Sequence, residues 1–77
     1  MSICLVSKRI TELRRERGVT LKSVGNSTGI SPSLLSLYEH GETVPGYWNL
    51  LTLARYFDVS VDYLCGITSE RKEYPHE

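Results

Sequence analysis

The sequence has little of almost everything that would announce a chemistry. Its 77 residues hold only two cysteines, two histidines, one tryptophan, one phenylalanine and one methionine. Cys4 and Cys65 stand near opposite ends without a CxxC or CxxH spacing, so they compose no metal site, and they read as reduced thiols rather than a disulfide. His40 and His76 are far apart. Neither belongs to a Ser/His/Asp constellation, and no glycine-rich phosphate loop is present, so catalysis, cofactors and small-molecule ligands are not expected. No apolar run approaches the roughly 20 residues of a membrane span. The start MSICLVSKRI is too short in its apolar part for a secretory leader, and the expected location is the bacterial cytoplasm or nucleoid. An excess of one charge is missing too, since nine Lys and Arg balance nine Asp and Glu.

What remains is a small globular composition, 40% hydrophobic and 23% charged, long enough for one domain. The balanced charge is unevenly placed. Residues 8 to 17 carry Lys8, Arg9, Arg14, Arg15 and Arg17 against Glu12 and Glu16, a local +3, while 20–45, 46–66 and the tail each carry −1. A +3 segment on a neutral chain is a modest electrostatic footprint for a nucleic-acid partner, because neutralised phosphates drive such association.

Apolar periodicity and stop signals divide the chain into five helices, an all-α class. The first runs from Ser7 to Arg17, with Val6, Ile10 and Leu13 on one stripe and Gly18 ending it. The second spans Leu21 to Ser27 behind a Thr20 cap, with Val24 inward and Gly25 at a close helix approach. Gly29 makes the turn, Ile30 closes it, and Ser31-Pro32 opens a third helix to Glu39 that buries Leu35 and Tyr38. Gly41 to Gly46 is a linker with Pro45 as its stop signal. A fourth helix, Tyr47 to Phe57, buries Leu50, Leu53, Ala54 and Phe57, and Asp58 takes its C-terminal turn position. A fifth, Val61 to Cys65, is capped by Ser60 and turns Val61 and Leu64 inward. From Ile67 the chain is polar and reads as frayed.

The stretch TLKSVGNSTGISPSLLSLYEHG is thus a helix, a glycine turn and a second helix, the arrangement that can lay its second helix in a DNA major groove. With RITELRRERGVT, the VPG linker, NLLTLARYF and DVSVDYLCG around it, the chain resembles the Cro/C1-type, or Xre-like, helix-turn-helix family of phage and bacterial regulators. The resemblance implies a five-helix, lambda repressor-like DNA-binding domain over 8–66 with its motif at 20–39. A lead at 1–7 and a polar tail at 67–77 flank it.

That resemblance gives the outward residues of the third helix a base-facing role: Pro32, Ser33, Leu34, Ser36 and Leu37. Family members often carry amides, cations or hydroxyls there. Here the two serines offer single hydrogen bonds and the two leucines offer contact to thymine methyls. Leu21 stands where the family often has a glutamine clamped to phosphate. The phosphate candidates are Arg9, Leu21 through its amide, Lys22, Ser31, Ser33, His40, Thr43 and Tyr47, with helix N-terminal amides at Leu21 and Pro32–Leu34. Arg14 and Glu39 match a family pair expected to tie the first helix to the third. Arg15 and Arg17 read as solvent-facing. Trp48, with Tyr47 and Tyr56, is an aromatic surface on the fourth helix and the candidate homodimer interface; the alternative packs Trp48 on the tail or the first helix.

The expected function is sequence-specific binding of double-stranded DNA by a small repressor, of phage or mobile-element type, on a roughly palindromic operator. No sensing or self-cleaving domain is expected. The competing reading keeps the fold and uses the Leu21, Leu34, Leu37 face to bind another regulator, with DNA binding weak or lost.

Overall fold

The computed structural model describes residues 5–73. Five helices follow in order: α1 Leu5–Arg17, α2 Leu21–Thr28, α3 Pro32–Glu39, α4 Tyr47–Phe57 and α5 Val61–Cys65. No strand occurs among the described residues. Cys4 and His76 lie outside them, and so does any statement about pairing Cys4 with Cys65.

Each helix starts and stops for local reasons. Thr20, Ser31 and Ser60 sit in extended backbone and their hydroxyls accept the third-residue amides of Ser23, Leu34 and Tyr63 at 3.0, 3.1 and 3.0 Å. The ends of α1, α3, α4 and α5 share one closure, a 6→1 and a 5→2 backbone bond around a left-handed residue. At α3 these are Glu42 N to Leu37 O at 3.0 Å and Gly41 N to Tyr38 O at 3.1 Å. At α4 the left-handed residue is Asp58, φ 55°, the one non-glycine at positive φ among the described residues.

α2 ends differently. Gly29 donates to Gly25 O at 2.8 Å, and Thr28 Oγ1 donates to Val24 O at 2.8 Å while accepting from Ile30 N at 3.2 Å. That hydroxyl carries α2 one residue past the Ser27 expected from sequence. Gly25 is required by the same turn. A Cβ there would stand 2.8 Å from the Ile30 carbonyl and 3.2 Å from the Pro32 ring.

The core joins all five helices through Ile10, Leu13, Val24, Ile30, Leu35, Tyr38, Leu53, Ala54, Phe57, Val59, Tyr63 and Leu64. Burying one such side chain contributes about 1.5–3 kcal/mol. Three details depart from the sequence reading. α1 begins at Leu5 rather than Ser7, because Leu5 packs against Gly66 and Val6 against the core. In α5, Leu64 is buried and Val61 packs half-buried against the core as expected, but Tyr63, not read as inward, is buried too.

The third departure is the tail, which is docked as far as Arg71 instead of frayed from Ile67. Arg71 makes a double bond pattern to Glu16, Nη1 to Oε1 and Nη2 to Oε2, both 2.7 Å, and its Nε donates to Tyr63 Oη at 2.9 Å. Arg9 donates to the carbonyls of Tyr63 at 2.9 Å and Thr68 at 3.2 Å, with its guanidinium 4.0 Å from the Tyr63 ring centroid. One tyrosine therefore collects two arginines, one from each end of the domain.

Candidate nucleic-acid interface

α2, the Gly29 turn and α3 form the helix-turn-helix, and α1 fixes its attitude. Arg14 reaches from α1 to Glu39 at the end of α3, Nε to Oε2 at 2.6 Å and Nη2 to Oε1 at 3.2 Å. Its remaining Nη1 donates to Val19 O at 2.9 Å, on the loop leading into α2. One guanidinium thus ties three segments together. The bonds to Glu39 hold Arg14 above its ordinary pKa, outweighing the opposing effect of burial. Ser7 Oγ adds a bond to Glu39 O at 3.1 Å, and Asn49 Nδ2 from α4 donates to Tyr38 Oη at 2.9 Å. α3 is held at its C-terminal end from two sides, which leaves its N-terminal turn projecting.

The projecting turn carries Ser31, Pro32 and Ser33, all exposed. Leu34 and Ser36 are half-buried, and Leu37 is 40% exposed. Leu34 and Leu21 both pack partly on the core. Of the three leucines read as one apolar face, then, only Leu37 is an exposed residue. Lys22, His40, Thr43 and Tyr47 are exposed beside this turn or on the linker that follows α3. Arg9 is not brought to them; the carbonyls of Tyr63 and Thr68 hold it on the α5 side.

His40 is more constrained than an exposed residue need be. Its backbone N–H donates to Ser36 O at 3.0 Å, and its ring Nδ1 lies 2.8 Å from the same oxygen.

On α4, Trp48 is 75% exposed and packs on neither the tail nor α1. Its ring meets Tyr47 edge-on, centroids 5.1 Å apart. Tyr56 is half-buried and turned to other partners. It stands edge-on to Phe57 at 4.9 Å, with the Arg17 guanidinium 5.2 Å from its ring. Arg17 is exposed, as expected, and its guanidinium also lies near these two rings.

The sequence reading missed Val44, 60% exposed next to the Tyr47–Trp48 pair. The signal was available in the run VPGYW, which has no polar side chain except one phenol. It also missed Arg71, whose partner Glu16 lies 55 positions away and leaves no local trace. Among the described residues no group of His, Cys, Asp and Glu could hold a metal ion. No helix of the described chain is long and apolar enough to cross a membrane.

With this geometry in place, comparison with known proteins is specific. A helix-turn-helix domain family model matches residues 7–65. The chain is 35% identical over 63 residues to YobD, an HTH-type transcriptional regulator of Bacillus subtilis, covering 82% of this chain and 56% of that protein. It is 31% identical over 70 residues to RstR, the cryptic phage CTXphi transcriptional repressor of Vibrio cholerae, covering 88% and 62%. The chain thus spans between half and two thirds of the length of these relatives. Among solved structures it superposes on the P22 c2 repressor in complex with a synthetic operator, TM-score 0.74 at 32% identity, covering 77% of this chain and 89% of that one. The solution structure of the P22 c2 DNA-binding domain gives 0.75 at 33%, covering 83% and 84%. A helix-turn-helix braced by Arg14 and Glu39 inside five helices, a family model spanning nearly the whole domain and a phage repressor fold agree: this chain belongs to the Cro/C1-type helix-turn-helix family.

Proposed function

We propose that this chain is the DNA-binding unit of a transcriptional regulator, a repressor of phage or mobile-element type that binds double-stranded DNA through α3. The observation that carries this reading is the match in fold to a repressor solved on its operator, at an identity high enough to join the two in one family. The family consists of regulators rather than enzymes. A cytoplasmic location accords with a DNA partner.

In this reading the first turn of α3 enters a major groove about 12 Å wide. Ser33 and Ser36 offer single hydrogen bonds to base edges, and Leu34 and Leu37 contact thymine methyls. Pro32 sets the approach of the helix. Phosphates meet the amides that open α2 and α3, at Leu21 and Ser33, with Lys22, Ser31, Thr43 and Tyr47 around them. Arg9 is left out of this set because the bonds from its Nη1 hold it to the Tyr63 and Thr68 carbonyls on the α5 side. Two copies joined through the exposed Trp48 side of α4 would set two α3 helices about one DNA turn (~34 Å) apart, and the operator would be roughly palindromic. Tyr56 borders that surface only in part.

Fluorescence anisotropy against genomic fragments and random duplex at several salt concentrations tests the proposal. One fragment bound about 10³-fold tighter than random DNA supports it. Uniformly weak binding at low salt overturns it. The second reading, an interaction module for another regulator, is favoured by one observation: among the described residues, Leu37, Val44, Tyr47 and Trp48 are four of the five exposed large apolar side chains. It requires Leu37→Asp to abolish capture of a protein partner, with DNA binding weak or absent in the wild type already.

A further inference from the structure

Residues 23–54, which cover most of α2, all of α3 and most of α4, contain neither lysine nor arginine. Within that span His40 is the only side chain that can become a cation. It is exposed and it closes α3. Its Nδ1 lies 2.8 Å from the Ser36 carbonyl oxygen, which can only accept, so Nδ1 carries the hydrogen. The Ser36 hydroxyl at 3.4 Å lies on the same side of the ring. Nδ1 therefore stays a donor in either charge state. Nε2 is the nitrogen left for a partner outside the chain.

The neighbouring charges do not compete for that nitrogen. From α1, the turn beside this end of α3 brings Lys8, while Arg14 is taken up by Glu39. α2 contributes Lys22 at its opposite, N-terminal end, and the first turn of α4 contributes no charge. Glu39, next to His40 in the chain, is paired with Arg14, and Glu42 on the linker is exposed. The carbonyl end of α3 favours a cation at this position.

We infer that His40 binds a DNA phosphate through Nε2 as an imidazolium, so that this interface takes up a proton when it closes on DNA. The inference rests on the DNA reading above and supplies the positive charge that α3 lacks. Its sign is fixed: the bound state prefers the protonated ring, so affinity rises as pH falls through the range in which imidazoles titrate, about pH 5 to 8. An imidazolium on a phosphate also displaces one more counterion, which steepens the dependence of log affinity on log salt by about 0.9.

The test is anisotropy with a labelled mixed-sequence duplex at about pH 6 and about pH 8, each over a salt series. Wild type is expected to bind roughly tenfold tighter at the lower pH, with the steeper salt slope appearing only there. His40→Gln should bind equally at both, at the weaker level, and His40→Arg equally at both, at the tighter one. Helical circular dichroism of the variants keeps a folding defect separate from a lost contact. A pH response that persists unchanged in His40→Gln overturns the inference and leaves the DNA reading standing. No binding by wild type at either pH and low salt overturns the DNA reading and this inference with it.

Discussion

α1 and α3 pack against each other and are built from opposite materials. Seven of the 13 residues of α1 are charged: Lys8, Arg9, Glu12, Arg14, Arg15, Glu16 and Arg17. In α3 only Glu39 is, and Arg14 neutralises it. A charge count would place the nucleic-acid contact on α1. Four of α1's charges are engaged by other parts of the chain instead. Arg9 is bonded to two carbonyls, Arg14 to a carboxylate and a carbonyl, Glu16 to Arg71, and Arg17 covers two aromatic rings. α3 gives Leu35 and Tyr38 to the core and leaves Ser33 and Leu37 exposed. Holding the fold together and, in the proposed reading, meeting DNA fall to different helices, and Arg9 and Arg14 serve the former.

If that division is right, the two helices respond differently to substitution. Glu39→Ala leaves the Arg14 guanidinium without its carboxylate in a site where its side chain is only 19% exposed. We expect a loss of about 3 kcal/mol in chemical denaturation, with the affinity of the remaining folded protein for DNA unchanged. Leu37→Asp, on the exposed side of α3, should do the reverse. DNA affinity should fall at least tenfold, about 1.4 kcal/mol, while the denaturation midpoint barely moves. A stability loss in Leu37→Asp matching that of Glu39→Ala would end the distinction.

Ser31 belongs to both categories, since its hydroxyl caps α3 and its exposed position is a proposed phosphate contact. Ser31→Ala should cost about 1 kcal/mol of stability and some affinity together. Among these changes the weakest is Arg71→Ala, at the surface. Glu16, bonded to Arg71, has its pKa held below the usual carboxylate range. A depressed carboxylate attaches the tail above its ordinary pKa and releases it as pH falls through the lowered one. Amide protection at 68–71, taken relative to the intrinsic exchange rate at each pH, should therefore fall in acid in the wild type, and be already low at neutral pH in Arg71→Ala. Global stability should hardly change, because the pair is exposed.

The helices were legible in the sequence wherever their limits are local. The start and end of α3, α4 and α5 fall where capping serines, Pro32, Gly41, Asp58 and Gly66 put them. The limits that moved depend on distant partners or on an unusual bond. Leu5 joins α1 because Gly66 receives it, and Thr28 joins α2 through its own hydroxyl. Tyr63 was hidden for the same reason, its burial depending on Arg9 and Arg71 from both ends of the chain. At the site, the positions of α3 were readable from periodicity, but how deeply each one sinks was not. Leu21 and Leu34 occupy outward-looking positions and are drawn partly onto the core all the same.

The placement of Trp48 has a practical consequence for anyone following this protein by light. It is the sole tryptophan, and three quarters of its surface already meets water in the native state. Its emission should shift little when the chain unfolds, so a fluorescence melt would understate the transition that circular dichroism records. The same ring would respond at once to a surface closing over the first turn of α4. The molecule carries an intrinsic probe that is nearly blind to its own folding and sensitive to company.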